Sequence, residues 1–331
     1  MQTRIIATLG PASETEDVLF AMLAAGMSYA RLNFSHGHPD EHRLRAERAR
    51  EAGRILRGPI DLIQDLQGPK IRTVQVPRTW LAEGDALTLG PVGASGVLPI
   101  SEPAVLAGVQ AGHRIYLDDG AIELEVLGTG SNAAECRVLV GGVIEGNEGV
   151  VFPSSTIDLP ALTERDLEDL DVGQELGVEW VALSFVQRAE DIDALRDHLN
   201  WGARIIAKIE TPGAIANLDA IVTKSDAVMV ARGDLGVAIR RARVPLVQKD
   251  ILRLCRERNA DGIVATEMLL SMVQHPHPTR AEVGDVATAV LDGSHAVMLS
   301  EETAIGAYPS LAVAEMREII ETVEASPYYT F

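Results

Sequence analysis

Arg31, Asn33, Ser35 and His36 fall within one short stretch, YARLNFSHG, closed by Gly37. Residues two apart on a strand point to the same side. The spacing therefore predicts Arg31, Asn33 and Ser35 on one face, with Leu32 and Phe34 on the other. Convergent polar groups where an apolar strand ends suit a binding site better than a core. Other apolar runs close in the same way. Thr8, Gly10 and Pro11 end the first, and Asp65 ends IDLIQD, followed by Lys70 and Arg72. Lys208 and Glu210 lie in RIIAKIE, Arg232 and Asp234 follow AVMVA, Thr266 and Glu267 follow GIVA, and Ser300, Glu301 and Glu302 follow AVML.

These types suggest one kind of chemistry. Lys208 and Glu210 share a strand face. Glu210 and Asp234 come from consecutive strands, so their carboxylates can meet. Two carboxylates without a fixed partner suit Mg²⁺ or Mn²⁺, which take oxygen ligands and retain waters. Arg31, Arg72 and Lys208 are cations suited to a phosphoryl group. The glycines around Asp234 in RGDLG let a backbone N–H approach a carboxylate or phosphate, especially at a helix start. Metal, cations and backbone amides together are the means of phosphoryl transfer. Taken singly, each residue has a plainer reading: a surface Arg or Lys, a turn cap at Asp65, solvated rim carboxylates at Glu210 and Asp234, a satisfied polar side chain at His36. His275 and His277, flanking Pro276 with no carboxylate at ligand spacing, read as loop. Met268 and Met272 read as packing. The recurrence of charge at most strand ends favours a site.

Such a ring needs a scaffold. Short β-rich runs alternate with amphipathic stretches: TRIIATLG, YARLNF, IDLIQD, WVALSF, RIIAKIE, AVMVARGD, GIVATE and AVMLSEE are the strands. Ser13 is the expected N-cap of the first helix, with Gly26 at its end, and Thr163 the N-cap of the helix beginning LTERD. The alternation predicts an α/β fold, a parallel (β/α)₈ TIM barrel with its site at the C-terminal strand ends. From Val74 to Pro153 the rhythm breaks into short strands with Gly and Pro turns, predicting a small all-β domain inserted after the third strand. The barrel is thus expected over 1–73 and 154–331, and the insert over 74–153.

Composition bounds the partners. The 331 residues are 47% hydrophobic and 4% aromatic, enough for an aliphatic core, and the formal net charge is −19. That field disfavours nucleic acid and anionic membranes but allows a small anion in a locally basic cleft. Cys136 and Cys255 form neither metal spacing nor a disulfide framework. No run nears the roughly 20 apolar residues that cross a bilayer, and MQTRIIATLG is no signal peptide. A cytoplasmic protein is expected.

The stretches ATLGPAS, GMSYARLNFSHG, DLQGPKIRT, DLPALTERD, SFVQRAEDI, AKIET, VMVARGDLGV, ATEML and TRAEVGDVATAVLDGSHAVMLSEETAIGAYP occur in an order that resembles the pyruvate kinase family. The resemblance implies phosphoryl transfer from phosphoenolpyruvate to ADP, giving pyruvate and ATP. It makes the insert the family's lid domain. Glu210 and Asp234 would hold Mg²⁺ or Mn²⁺. Lys208 would stabilise the phosphoryl group and the enolate, and Arg31 would bind the phosphate. Gly233, Asp234 and Thr266 would bind the carboxylate, and Thr266 with its waters would protonate the enolate. Pro11, Asn33, His36 and Arg72 would face the nucleotide. Asn33, Ser35, Asp65 and the Leu66 carbonyl would correspond to the monovalent-cation site. Members with Glu at the position of Lys70 generally need that cation and those with Lys generally do not, so K⁺ is not expected to be required.

The chain departs from the family pattern in places. Asn147 and Glu148 stand where many members carry two lysines, which weakens expected nucleotide affinity. Ala238 replaces the usual Glu, and Glu267 the usual Gln. The family's regulatory C-terminal domain has no counterpart in these residues, so no sugar-phosphate activation is expected. A homo-oligomer is expected. The lost lid lysines keep open a phosphatase, decarboxylase or enolising enzyme acting on phosphoenolpyruvate or a keto acid. A non-catalytic paralogue is disfavoured, because Lys208, Glu210, Asp234 and Thr266 are all retained.

Overall fold

The computed structural model describes every residue except Met1, Arg57, Ser131, Thr156 and Asp158. The chain opens with β1 (Arg4–Thr8), β2 (Tyr29–Asn33) and β3 (Asp61–Asp65). It then leaves for eight short strands: β4 (Thr79–Leu81), β5 (Ala86–Gly90), β6 (Val97–Pro99), β7 (Arg114–Leu117), β8 (Ile122–Thr129), β9 (Ala134–Val140), β10 (Gly142–Ile144) and β11 (Val150–Val151). It returns through β12 (Trp180–Leu183), β13 (Arg204–Ile209), β14 (Ala227–Ala231), β15 (Asp261–Ala265) and β16 (Ala296–Leu299). The first three strands and the last five close into one barrel, in the order β1-β16-β15-β14-β13-β12-β3-β2, with every pair parallel. This is the (β/α)₈ architecture that the alternation predicts. Among the described residues no helix is long and apolar enough to cross a membrane.

Strand alternation splits the core in two. Outward residues such as Ala7, Leu32, Leu62, Val181, Ile205 and Val228 pack under the helices. Inward residues such as Ile6, Ile63, Trp180, Ile206, Met229 and Met298 fill the barrel. Each layer removes apolar surface from water, at about 25 cal/mol per Å². The helix Pro309–Glu324 shows the matching 3.6-residue period: Ala312, Val313, Met316, Ile319 and Ile320 are buried. Met268 and Met272 are fully buried in the outer core, as packing residues should be. Counting two further residues along the inward register of β1, β2, β3 and β13 reaches Thr8, Arg31, Asp65 and Lys208, which are polar. The interior therefore changes from apolar floor to charged mouth within one repeat of the pleat.

The inserted strands form a six-stranded sheet, β11-β7-β8-β9-β5-β6, and a two-stranded one, β10-β4. Their own apolar cluster draws in Ile71 and Phe152, with Ile157 and Leu159 packed against it. Gly68 turns the chain from β3 toward the insert at φ +67°, and a Cβ there would lie 3.0 Å from Ser184 and Phe185. Glycine meets both demands at once.

One local expectation changes and one holds. Thr15, not Ser13, precedes the helix Glu16–Ala25 as its N-cap. The Ser13 hydroxyl instead accepts from Gly10 N–H at 3.1 Å, closing a turn of its own. Thr163 does cap the helix Glu164–Leu176, in a capping box with Asp166.

Candidate functional site

Arg31 enters the barrel mouth from the inner face of β2 and is 8% exposed. Its Nε donates to Asp65 Oδ2 at 2.7 Å and its Nη1 to Thr8 Oγ1 at 2.9 Å. Asn33 ends this face and Ser35 leaves it. The strand ends at Asn33, and Ser35 N–H donates back to Asn33 Oδ1 at 3.2 Å. A short amide side chain that bonds its own backbone ends a strand in a turn, and Gly37 at φ +83° completes the reversal. The predicted shared face therefore holds for Arg31 and Asn33, both in β2, and fails for Ser35, which lies in the turn.

Lys208 is the hub. Its ammonium lies 2.9 Å from Glu210 Oε1 and 3.2 Å from Asp65 Oδ1, and donates to Ser184 Oγ at 2.7 Å. Ser184 in turn donates to the Leu66 carbonyl at 2.7 Å. Burial works against the charge on Lys208, but the Asp65 and Glu210 carboxylates outweigh it and hold its pKa above the ordinary lysine value. Asp65 is likewise buried, and Lys208 and Arg31 hold its carboxyl below the usual range. Ser184 escaped the sequence reading because LSF ends its strand without a charge. Its even spacing from Trp180 and Ala182 was the available signal.

Glu210 and Asp234 bear on the metal expectation. Glu210 is 2% exposed; Phe185 N–H donates to its Oε2 at 2.8 Å, and Oε1 has the lysine near it without a hydrogen bond. Burial pushes its carboxyl up, Lys208 opposes, and the facing charge of Asp234 pushes it up further. A buried carboxylate that feels the charge of a second one, and whose Oε1 is held by Lys208 alone, fits a divalent cation. Among the described residues no three His, Cys, Asp or Glu side chains gather as a metal group. Two carboxylates with the remaining positions left to water and substrate oxygens is the arrangement Mg²⁺ accepts.

Lys70 lies against Asp234. Its ammonium donates to Asp234 Oδ1 at 2.9 Å rather than reaching the Asp65 region, where Arg31 and Lys208 already stand. Three of the four expected monovalent-cation ligands are likewise engaged with protein donors. Asp65 has its two cations, the Leu66 carbonyl takes Ser184, and Asn33 Oδ1 takes Ser35 N–H.

Thr266 follows β15 in left-handed backbone, φ 71°, and Glu267 after it has φ 54°. The Thr266 hydroxyl accepts from Gly233 N–H at 2.8 Å and donates to Ala265 O at 2.6 Å. The Gly233 amide expected to meet a carboxylate is thus turned to Thr266. Asp234 lies beside it in the first turn of the helix Arg232–Ala238, where N–H groups lack intrahelical acceptors.

A cavity of about 140 Å³ opens between insert and barrel, lined among others by Lys70, Phe152, Phe185, Glu210, Pro212 and Asp234. Pro11, Asn33, His36 and Arg72 are not among its walls. Arg72 bonds the insert instead, donating from Nη1 to Asn147 O at 2.9 Å. The His36 imidazole is pushed below its ordinary pKa by partial burial and then by Arg72, Arg31, Lys70 and Arg165. Four cations around one loop make a locally positive field in a chain of net charge −19. Arg165 was missed in the sequence because it sits on a helix after the insert; it donates to Phe34 O at 3.3 Å.

Comparison with known proteins agrees with this geometry. The family model for the pyruvate kinase barrel domain matches residues 1–313. A pyruvate kinase of Agrobacterium vitis is 44% identical over 334 residues, covering 99% of this chain and 69% of that protein. One of Mycobacterium tuberculosis is 43% identical over 329 residues, 97% of this chain and 70% of that protein. One of Geobacillus stearothermophilus is 42% identical over 329 residues, 96% of this chain and 56% of that protein.

Proposed function

This chain belongs to the pyruvate kinase family, and from that premise we propose that it transfers a phosphoryl group between phosphoenolpyruvate and ADP. The observation that carries the reading is the buried network Arg31–Asp65–Lys208–Glu210, which keeps two cations charged at the barrel mouth. In the forward direction the bond from phosphorus to the enol oxygen breaks and one to the terminal oxygen of ADP forms. The enolate then takes a proton at its methylene carbon and becomes pyruvate. Arg31 binds the phosphate. Lys208 faces the charge that moves from the phosphoryl oxygens to the enolate, and it needs no reorganisation because Asp65, Glu210 and Ser184 already fix it. Thr266 Oγ1, held by Gly233 and Ala265, orients the proton path. Glu210 and Asp234 would hold Mg²⁺ or Mn²⁺, which when bound supplies charge neutralisation at the phosphoryl oxygens.

Residues 74–153 act as the lid over a barrel of 1–73 and 154–331. Its turn Asp118–Gly120 meets the helix that carries Asp234: Arg241 donates to Asp119 O at 3.4 Å, and Gly120 faces Val237. Pro11, Asn33, His36 and Arg72 face the nucleotide from the other side of the mouth. K⁺ is not required, because Lys70 brings an ammonium to the site. We place the enzyme in the cytoplasm as a homo-oligomer, with no nucleic-acid or membrane partner. Pyruvate formation from phosphoenolpyruvate with Mg²⁺, measured with ADP, with GDP and with no nucleotide, tests the reading. Formation that depends on the nucleoside diphosphate supports it. Equal formation without nucleotide transfers the assignment to a phosphatase.

A further inference from the structure

Left-handed backbone is uncommon outside glycine, and for a β-branched residue it is an outlier. Thr266 at φ 71° and Glu267 at φ 54° are two such residues in succession. Strain of this kind persists only where the surroundings over-determine it. Two charged side chains that follow the neighbouring strands do so. Arg232, 13% exposed, opens the helix after β14. Its Nε donates to Ala265 O at 3.2 Å, its Nη2 to Thr266 O at 2.7 Å, and its Nη1 to Asp285 Oδ1 at 2.7 Å. Glu302, 1% exposed, lies in the short helix Glu301–Ala304 after β16. Its Oε1 accepts from Leu269 N–H at 3.0 Å and its Oε2 from Ser300 N–H at 2.7 Å. The strained pair lies between these two anchors. Neither Arg232 nor Glu302 lines the cavity that holds Glu210 and Asp234.

We propose that Arg232 and Glu302 are positioning residues that clamp Thr266 and Glu267 in left-handed backbone and thereby set where Thr266 Oγ1 stands for the proton step. The proposal rests on the phosphoryl-transfer reading above. A planar guanidinium can serve two consecutive carbonyls and a carboxylate at once, which a lysine ammonium on its flexible stem cannot. Released from the clamp, the dipeptide relaxes toward ordinary φ and carries the hydroxyl away from Gly233 N–H. A shift on the order of 1 Å costs up to about a hundredfold in rate. Arg31 and Lys208 are anchored independently, so the phosphate end of phosphoenolpyruvate is still held.

The experiment compares Arg232→Lys and Glu302→Gln with wild type in two assays. One is steady-state turnover of phosphoenolpyruvate and ADP. The other is exchange of pyruvate methyl protons with D₂O in the presence of Mg²⁺, followed by NMR. The expected result is that kcat and exchange fall together by about tenfold or more, while KM for phosphoenolpyruvate stays within about threefold. Glycine adopts positive φ freely, so Glu267→Gly added to Arg232→Lys should recover much of both rates. Should Arg232→Lys fail to fold, Asp285→Asn, which removes only the outer partner of the guanidinium, gives the same test with a smaller loss. Variants that melt earlier yet keep wild-type kcat and exchange overturn the proposal, as does a rise in KM alone. A wild-type chain that forms no pyruvate overturns the phosphoryl-transfer reading, and the positioning role falls with it.

Discussion

Asp65 at the barrel mouth and Glu148 in the lid loop are both carboxylates at the junction of lid and barrel, and their surroundings push them in opposite directions. Lys208 and Arg31 outweigh burial at Asp65 and hold its proton off. Glu148 meets slight burial and then Asp118, Asp119 and Glu145, which push its carboxyl up. At the barrel mouth Asp65, Arg31, Lys208 and Glu210 answer one another at fixed distances, because an unanswered buried charge costs several kcal/mol. In the lid the charges face solvent, where repulsion is screened and tolerated. The barrel therefore holds a preorganised electrostatic site, whereas the lid loop is a surface on which charge can change without loss of the fold.

The comparison breaks most visibly if a barrel charge proves dispensable. Glu210→Gln removes the buried carboxylate between Lys208 and Asp234, and turnover should fall by about a thousandfold or more with the circular dichroism unchanged. Near-wild-type turnover in that variant would remove Glu210 from the site.

Burial should also show in the pH dependence of stability. His42 stacks on Phe34 with ring centroids 4.1 Å apart, its Nε2 bonds His36 O at 3.0 Å, and its Nδ1 is buried without a partner. Burial is the main cause that pushes its pKa down, from 6.5 to about 4. Between those values the unfolded chain takes a proton and the folded chain does not. Stability from this group is therefore fully present above pH 6.5 and is lost as pH falls toward 4. The gap corresponds to about 3 kcal/mol, reduced to about 2 by residual solvent screening. Denaturant melts of wild type and His42→Gln at pH 7 and pH 5 measure it. The variant should lose much less stability between the two pH values, and parallel losses would show that His42 is not the group responsible.

Lys70 belongs to neither extreme: its pair with Asp234 is about one-quarter exposed on each side. Wild-type rate should be equal in K⁺, Na⁺ or tetraalkylammonium salts at constant ionic strength. Lys70→Glu replaces a cation with an anion beside Asp234, so its rate should fall and recover about tenfold on adding K⁺. A wild type stimulated many-fold by K⁺ would show that the lysine does not substitute for the ion.

The smallest effect belongs to the lid. Glu148→Lys relieves the acidic cluster and should tighten apparent ADP affinity by about fivefold, on the order of 1 kcal/mol. Asn147→Lys should add nothing, because Asn147 holds φ 75°, which Asn tolerates and Lys does not. Unchanged ADP affinity in Glu148→Lys would mean that this loop stays clear of the nucleotide.

All eight barrel strands were legible in the sequence, because a strand buried on both faces reads as an apolar run between turn signals. Lys208 with Glu210 was legible from period two alone, and their 2.9 Å contact follows from it. Ser35 and Ser13 were misread because short polar side chains bond nearby backbone, Asn33 Oδ1 taking Ser35 N–H and Ser13 Oγ taking Gly10 N–H, a local competition that strand and helix periods do not register. The chain order of residue types determined the strands, the inward parity of Arg31, Asp65 and Lys208, and the ring of charge at the barrel mouth. Tertiary structure alone decided that Lys70 lies on Asp234, that Ser184 completes the Lys208 hub, and that Arg232 bonds the Thr266 carbonyl while Glu302 takes Leu269 N–H. These contacts join residues far apart in the chain, and closure of the barrel sets their separation, so no spacing along the sequence encodes them.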